Sequence, residues 1–458
     1  MSVTSVSRVY LVGIGGIGMS ALARFFVSDG KAVAGYDRTP TELTDALISE
    51  GMAVHFEDAV TNIPSEFKAP SETLVIYTPA IPADSAELNW FRENGFTVLK
   101  RSEVLGELSK GKNTIAISGT HGKTTITTFV SHLLTDSGMG CGAFLGGISK
   151  NYGTNLLRPN GSNNLVVEAD EYDRSFLKLF PNLAVVTSVD ADHLDIYGTY
   201  EAIVEAFSDF VGQIKPGGSV VVKKGVNLKI KNSQIKAYTY SLLEDADFHI
   251  ADLRVENGIS IFTLVSPMGR IENINLHLPG KVNLENAVAA SALALLSGVS
   301  AEQVRDGVGS FLGVKRRFDT RFKGKGMVLV DDYAHHPVEL KAAINAMREA
   351  YPGKRVTGVF QPHLFSRTRD FADDFAASLS LVDELYLLDI YPARELPIPG
   401  VTSQTLLDRV TLKSKHLVGK EELVEVLKAK SDLEVLIMMG AGDIDKLITP
   451  LQEIFEKR

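Results

Sequence analysis

An apolar stretch that runs into glycines, a lysine and threonines, and then into a helix, leaves a chain few ways to fold. Residues 114–130, TIAISGTHGKTTITTFV, have that form. The strand needs parallel neighbours, because a helix that follows it and returns over the sheet covers a parallel sheet. Gly119, Thr120, His121, Gly122, Lys123, Thr124 and Thr125 then fall at the C-terminal edge of that sheet. There, backbone N–H groups at a helix N-terminus can ring an anion. The spacing is not the usual G-x-x-x-x-G-K-[S/T], since Ile117 stands five residues before Gly122. The chemistry holds all the same. Lys123 can reach the β- and γ-phosphates of a nucleotide, and the Thr124 hydroxyl suits magnesium.

Two further regions repeat the strand–loop–helix order. Near the N-terminus, Gly13, Gly15 and Gly18 form G-x-G-x-x-G after the apolar run Val9–Val12, and Asp37 ends the next expected strand. With a helix expected from near Ser20, this is the nucleotide-binding βαβ pattern, its acid placed to meet a ribose hydroxyl. A strand over 73–81 ends in a Pro-rich loop. From near Gly313 the order returns, with strands around DDYAHHPVE, QPHLFSRTRDF, 384–390 and 433–443. Between these regions, strands are expected at 164–170 and 183–189, a helix over 199–213, β structure over 217–278 and a helix over 284–298. The pattern predicts an α/β chain of three domains. They are a Rossmann-like N-terminal domain (1–110), a central P-loop-type ATPase α/β domain with added β structure (111–313), and a Rossmann-like C-terminal domain (314–458).

The balance of charge narrows the partners. Lys plus Arg number 47 against 56 Asp plus Glu, a net charge of -9, and no basic stripe is visible. Nucleic acid is therefore not an expected partner. No apolar run is long enough to span a bilayer, and a single cysteine, Cys141, fits a reducing compartment and rules out an intrachain disulfide. A buried strand position accounts for it.

The acids cluster after the central strands. VVEADEYD supplies Glu168, Asp170, Glu171 and Asp173, and SVDADHLDIYG supplies Asp190, Asp192, His193 and Asp195. Magnesium takes oxygen ligands, so Glu168 leads, and His193 is the softer candidate. The third region offers His335, His336, His363, Arg367 and Arg369, with Arg316 and Arg317 before it. An arginine fork matches a carboxylate. ATP-driven joining of two substrates is the economical reading. A carboxylate becomes an electrophile once it has taken a phosphoryl group, and an amine can then attack it.

At this point nine motifs, in order along nearly the whole chain, resemble the Mur ligases in their alanine-adding branch. They are GIGGIGMSALA, GTHGKTT, EADEYDRSFL, DADHLDIYG, GVKRRFD, DDYAHHPVE, FQPHLFSRTRDF, DIYPARE and GAGDI. The resemblance implies a cytoplasmic ligase, monomer or homodimer, that joins L-alanine to UDP-N-acetylmuramate with ATP and Mg2+ (or Mn2+). It implies that Gly15, Gly16, Gly18, Asp37 and Thr78 hold the UDP-sugar. This replaces the nicotinamide cofactor that the first glycine pattern alone suggests. It places Lys123 on the ATP phosphates and Thr124, Glu168 and His193 around the metal. Asn286 lies near adenine, Arg317 and Asp332 near the phosphates and ribose, and His335 and Arg367 near the incoming alanine. Three positions stand out. Val282 stands where many members have His, and Leu364 where many have Arg. Phe207 stands where related ligases carry a carbamoylated lysine, so no carbamate is expected.

Overall fold

Four sheets organise the computed structural model, which describes residues 3, 6–191, 194–242, 245–256, 258–393 and 395–457 (for Leu194 and Asp195 the backbone alone). The first contains β1 (Arg8–Val12), β2 (Ala32–Tyr36), β3 (Ala53–His55), β4 (Thr73–Tyr77) and β5 (Thr97–Lys100) in the order β3-β2-β1-β4-β5, all parallel. The second contains β6 (Asn113–Ser118), β7 (Gly142–Phe144), β8 (Leu156–Leu157), β9 (Asn164–Ala169), β10 (Leu183–Val186), β11 (Ser219–Lys223) and β12 (Lys236–Tyr240). Their order is β12-β11-β10-β6-β9-β7-β8, parallel except for β8 on β7. β13 (His249–Glu256), β14 (Ile259–Ser266) and β15 (Gly269–Leu276) form a separate three-stranded sheet.

The fourth sheet contains β16 (Asp319–Gly324), β17 (Met327–Asp332), β18 (Val356–Phe360), β19 (Glu384–Leu387), β20 (Lys415–Leu417) and β21 (Val435–Met439). Its order is β16-β17-β21-β18-β19-β20, with only β16 antiparallel. Central strands such as Val9–Val12, Ile115–Ser118 and Val435–Met439 are buried along their length. A parallel sheet covered by helices on both faces requires that.

The backbone divides into two compact units. One holds Met1–Leu253, Phe262–Ile274 and Asn286–Phe311, the other Arg254–Ile261, Asn275–Glu285 and Leu312–Arg458. In the first unit the hydrophobic core runs on from the first sheet to the second, with the rings of Phe25 and Phe144 5.5 Å apart. One polar side chain ties the same seam. Asn155, fully buried, donates from Nδ2 to Ile17 O (2.7 Å) and to Ser20 Oγ (2.9 Å), and its Oδ1 accepts from Arg24 Nη1 (2.5 Å). It thereby fixes the start of the Ile17–Ser28 helix against the loop before β8.

Element edges differ from expectation in places. The first helix starts at Ile17 rather than near Ser20, because Gly16 is its N-cap and Gly18 lies inside its first turn. β4 stops at Tyr77, short of Pro79, which has no N–H to give a ladder. The helix expected over 284–298 spans Lys281–Leu296. Among the described residues no helix is long and apolar enough to cross a membrane.

Candidate active site

The first glycine loop leaves β1, which lies between β2 and β4, at the point where the strand order of the first sheet reverses. Open parallel sheets bind ligands in such a crevice. The chain turns at Gly13 (φ +87), and the N–H groups of Gly13 and Ile14 both donate to Tyr36 O, at 2.7 and 3.0 Å. A Cβ on Gly13 would stand 2.8 Å from Thr78 Cγ2, and one on Gly15 would stand 2.8 Å from Asp37 Oδ2. So Gly15, Gly16, Asp37 and Thr78 are brought to one edge. Asp37 braces the loop itself. Its Oδ2 accepts from the Gly15 N–H (2.8 Å) and its Oδ1 from the Thr39 N–H (3.1 Å). Gly18 has a different neighbour, Arg101, whose Nη1 a Cβ would approach to 2.6 Å. Arg101 Nη2 also lies 3.9 Å from Asp170 Oδ2, so this guanidinium stands between the first helix and the central acids.

The second glycine loop leaves β6 through Gly119 (φ +130) and enters the Lys123–Asp136 helix through Gly122 (φ +85). It is held from the side by the segment after β10. Thr120 N–H donates to Ser188 O (3.2 Å), His121 N–H donates to Ser188 Oγ (3.2 Å), and Thr187 Oγ1 donates to His121 O (2.6 Å). The amide ring expected around an anion is therefore narrower than the sequence suggested. The N–H groups of Thr120 and His121 serve the loop, which leaves the donors of the helix's first turn, those with no partner inside the helix, for an anion. Thr124 and Thr125 are buried in that turn, and a Cβ on Gly122 would lie 2.9 Å from Asn286 Oδ1, which places Asn286 beside the loop.

Lys123 is held by its own surroundings. Its Nζ donates to Gly119 O (2.7 Å) and to both oxygens of Glu171 (2.7 and 2.9 Å). Burial works against the charge, but the negative field of Glu171, then of Asp170 and Glu168, holds the ammonium above its ordinary value. β9 runs beside β6 with Glu168 opposite Ile117, so Glu168 arrives at the same edge. Its Oε1 accepts from Gly146 N–H (3.0 Å), and a Cβ on Gly146 would fall onto the carboxylate. The Glu168 carboxylate and the Thr124 hydroxyl are hard oxygen donors, so they fit magnesium, which keeps few protein ligands and takes the rest from phosphates and water. His193 lies outside the described residues. Among the described residues no three acidic, His or Cys side chains assemble as a metal cage.

The second unit carries the other expected groups at the C-terminal ends of its strands. Arg316 and Arg317 take different parts. Arg316 (φ +63) bonds Gly440 O (2.7 Å) and Asp445 Oδ2 (3.0 Å), which makes it a clamp on its own loop. Arg317 lies 4.0 Å from Glu339 Oε1, with its guanidinium 5.0 Å from the Tyr333 ring centroid. Asp332 is buried and accepts from Phe318 N–H (2.7 Å) and Ala334 N–H (2.8 Å), and burial pushes its carboxyl up to about 6. It pins the turn that presents Arg317. The backbone on both sides of Arg317 is left-handed, with Phe318 at φ +49, a cost of about 1–3 kcal/mol per residue that these bonds hold in place. His335 lies with its ring 6.1 Å from that of His363, and Arg367 is close enough to lower the His335 pKa. Leu364 (φ +71) is buried.

Four residues of the site were not singled out by the sequence. Arg101 and Asn155 gave no local signal. Glu171 was one acid among several. Glu339 could have been read, since Pro337 at the first helical turn with an acid two residues on marks a helix start.

Three domain descriptions match the chain: Mur ligase family, catalytic domain, over residues 8–113; Mur ligase middle domain over 117–294; and Mur ligase, glutamate ligase domain, over 316–442. Proteins named UDP-N-acetylmuramate–L-alanine ligase match end to end. That of Parabacteroides distasonis is 52% identical over 100% of this chain and 99% of its own, and that of Porphyromonas gingivalis W83 is 50% identical over 98% and 99%. Among solved structures, the UDP-N-acetylmuramate-alanine ligase of Thermotoga maritima superposes with a TM-score of 0.83 at 27% identity, covering 98% of this chain and 99% of that one. A murein peptide ligase of Psychrobacter arcticus shares the fold, with a TM-score of 0.72 at 19% identity over 99% of both chains. The chain belongs to the Mur ligase family.

Proposed function

We propose that this chain joins L-alanine to the carboxylate of UDP-N-acetylmuramate at the expense of ATP, giving ADP and phosphate, in the building of peptidoglycan precursors. The observation that carries the reading is the pair of glycine loops in one unit, one braced by Asp37 and the other armed with Lys123, on a chain half identical to ligases of that name. In this reading residues 1–110 bind the UDP-sugar through Gly15, Gly16, Gly18, Asp37 and Thr78. Residues 111–313 bind ATP through Gly119–Thr125 and Asn286, and residues 314–458 supply Arg317, Asp332, His335 and Arg367. A substrate carboxylate oxygen attacks the γ-phosphorus and ADP leaves. The amine of alanine then attacks the acyl carbon and phosphate leaves. Lys123 exchanges Glu171 for phosphate oxygens and stabilises the charge on the transferring group. Magnesium would be held by Thr124 and Glu168, with His193 as a further ligand, and would neutralise phosphate charge. Nucleotide substrates and a lone reduced cysteine favour the cytoplasm.

The test is phosphate release from ATP with magnesium and UDP-N-acetylmuramate across a panel of amino acids and the murein tripeptide. Release that needs both the UDP-sugar and L-alanine is expected. Release only with the tripeptide, or with none, would overturn the reading.

A further inference from the structure

The Tyr333 carbonyl and the Glu339 carboxylate both lie against one nitrogen of His335, and together they decide where the imidazole proton sits. His335 Nδ1 is 3.0 Å from Tyr333 O and 3.2 Å from Glu339 Oε2. A carbonyl oxygen can only accept and an ionised carboxylate can only accept, so Nδ1 carries the hydrogen and Nε2 presents a lone pair. Glu339 is itself fixed. Its Oε2 also accepts the backbone N–H groups of His335 (3.0 Å) and His336 (3.3 Å), from the third position of the Pro337–Ala350 helix. The groups around the ring are Tyr333 from its own loop, Glu339 from the helix, His363 from the loop after β18, Arg367 from the short Phe365–Asp370 helix, and Arg317 from the turn before β16. Burial lowers the His335 pKa first. Glu339 pulls it back up, and Arg367 and Arg317 lower it further. The net effect holds the imidazole below its ordinary pKa, on the side of the neutral ring.

We propose that Glu339 is a positioning residue that, with its carboxylate beside the Nδ1–H which His335 gives to the Tyr333 carbonyl, poises the ring so that Nε2 takes a proton from the incoming amino acid's ammonium group. The inference rests on the ligase reading above. An N–H bond of the ammonium breaks as the Nε2–H bond forms. The nitrogen keeps the electron pair and uses it on the acyl carbon, and the phosphate leaves with the C–O pair and takes up the second proton that the nitrogen must lose to become the amide. The imidazolium that results keeps its Nδ1–H on the Tyr333 carbonyl, and the Glu339 carboxylate 3.2 Å away stabilises the charge.

The experiment compares Glu339→Gln with wild type, using L-alanine and, separately, hydroxylamine, whose nitrogen is unprotonated at neutral pH and needs no base. With L-alanine, kcat should fall about ten-fold or more, within the range of a general base. KM for ATP and for the UDP-sugar should stay within about two-fold. The acidic limb of the kcat profile should move to lower pH, because the carboxylate that raised the His335 pKa is gone. With hydroxylamine the variant should match wild type. Equal losses with both nucleophiles, or an unmoved acidic limb, would overturn the assignment and leave Glu339 as a helix cap. A wild-type chain with no alanine-dependent release would instead overturn the ligase reading, and this proposal with it.

Discussion

The two glycine-rich loops of the first unit start alike and end differently. Both leave a buried parallel strand, turn through a left-handed glycine and enter a helix. In the first, a carboxylate occupies the loop: Asp37 accepts the Gly15 N–H, and no lysine follows the glycines. In the second, a lysine opens the helix and its charge is held by Glu171. A loop braced by an acid can bind a nucleotide and leave it intact. A loop that carries a cation beside a metal-suited carboxylate has what phosphoryl transfer requires. In the proposed reading the same backbone device serves holding in one place and transfer in the other.

Removing the cation breaks this contrast most sharply. Lys123→Ala should lower turnover about a thousand-fold, as loss of a group aimed at transition-state charge does. UDP-sugar affinity by calorimetry should be unchanged. Normal turnover in the folded variant would mean that the second loop does not take part in transfer.

Glu168 is read as a metal ligand, and since even the outer partners of such ligands are worth roughly 10–100-fold, Glu168→Gln should raise the magnesium needed for half-maximal rate at least about ten-fold. An unchanged magnesium titration would remove Glu168 from the metal site. Asn155→Ala tests whether the two loops must keep their relative placement. Each nucleotide alone should bind as before, while kcat drops about ten-fold, since small misplacements are costly to near-attack geometry. A weaker binary affinity with unchanged kcat would assign Asn155 to binding instead. Gly15→Ala forces Asp37 aside, and a hydrogen bond to a charged group is worth about 1.5 kcal/mol or more. KM for the UDP-sugar should rise about ten-fold with KM for ATP constant, and a rise in both would blur the division of labour.

The smallest effect lies beneath the first loop. Glu87 is fully buried, accepts from Tyr10 Oη (2.6 Å), and is pushed up to about 7 by burial. The folded chain therefore holds a proton between about pH 4.5 and 7 that the unfolded chain has lost. Its stabilising contribution is complete below that window and is lost as pH rises through it, an amount on the order of 3 kcal/mol. In Glu87→Gln the melting temperature should depend less on pH across this window than in wild type. Parallel profiles would show that the carboxyl is ionised in the fold.

Much of this arrangement could be read from the chain. The Lys123–Asp136 helix opens directly after the glycine turn, as the sequence predicts, because a left-handed glycine cannot continue a helix backwards and Lys123 must open one. Cys141 is buried at the edge of β7 with its thiol pushed up to about 11 by burial, in keeping with a packing role. The Ile17 helix was misplaced by three residues because glycines read as loop even where one lies in the first turn. Among the site residues, the partner of Lys123 was hidden. Which of four acids reaches it depends on the turn after β9, where Asp173 and Arg174 are both left-handed, and no local pattern announces that turn. Asn155 was hidden for a similar reason. Its three bonds go to residues more than a hundred positions away. Arg316 and Arg317 look equivalent in sequence, and it is the bonds of Arg316 to Gly440 O, Gly442 O and Asp445 that tell the clamp from its neighbour.

The central claim is that the UDP-sugar's carboxylate is activated by the phosphoryl group that Lys123 follows. UDP-N-acetylmuramate labelled with oxygen-18 in its carboxylate tests it most directly, with the released phosphate read by mass spectrometry during turnover with L-alanine. The account predicts one labelled oxygen in each phosphate, since the oxygen that attacks phosphorus leaves with it. Phosphate free of label, with amide still formed, would contradict it.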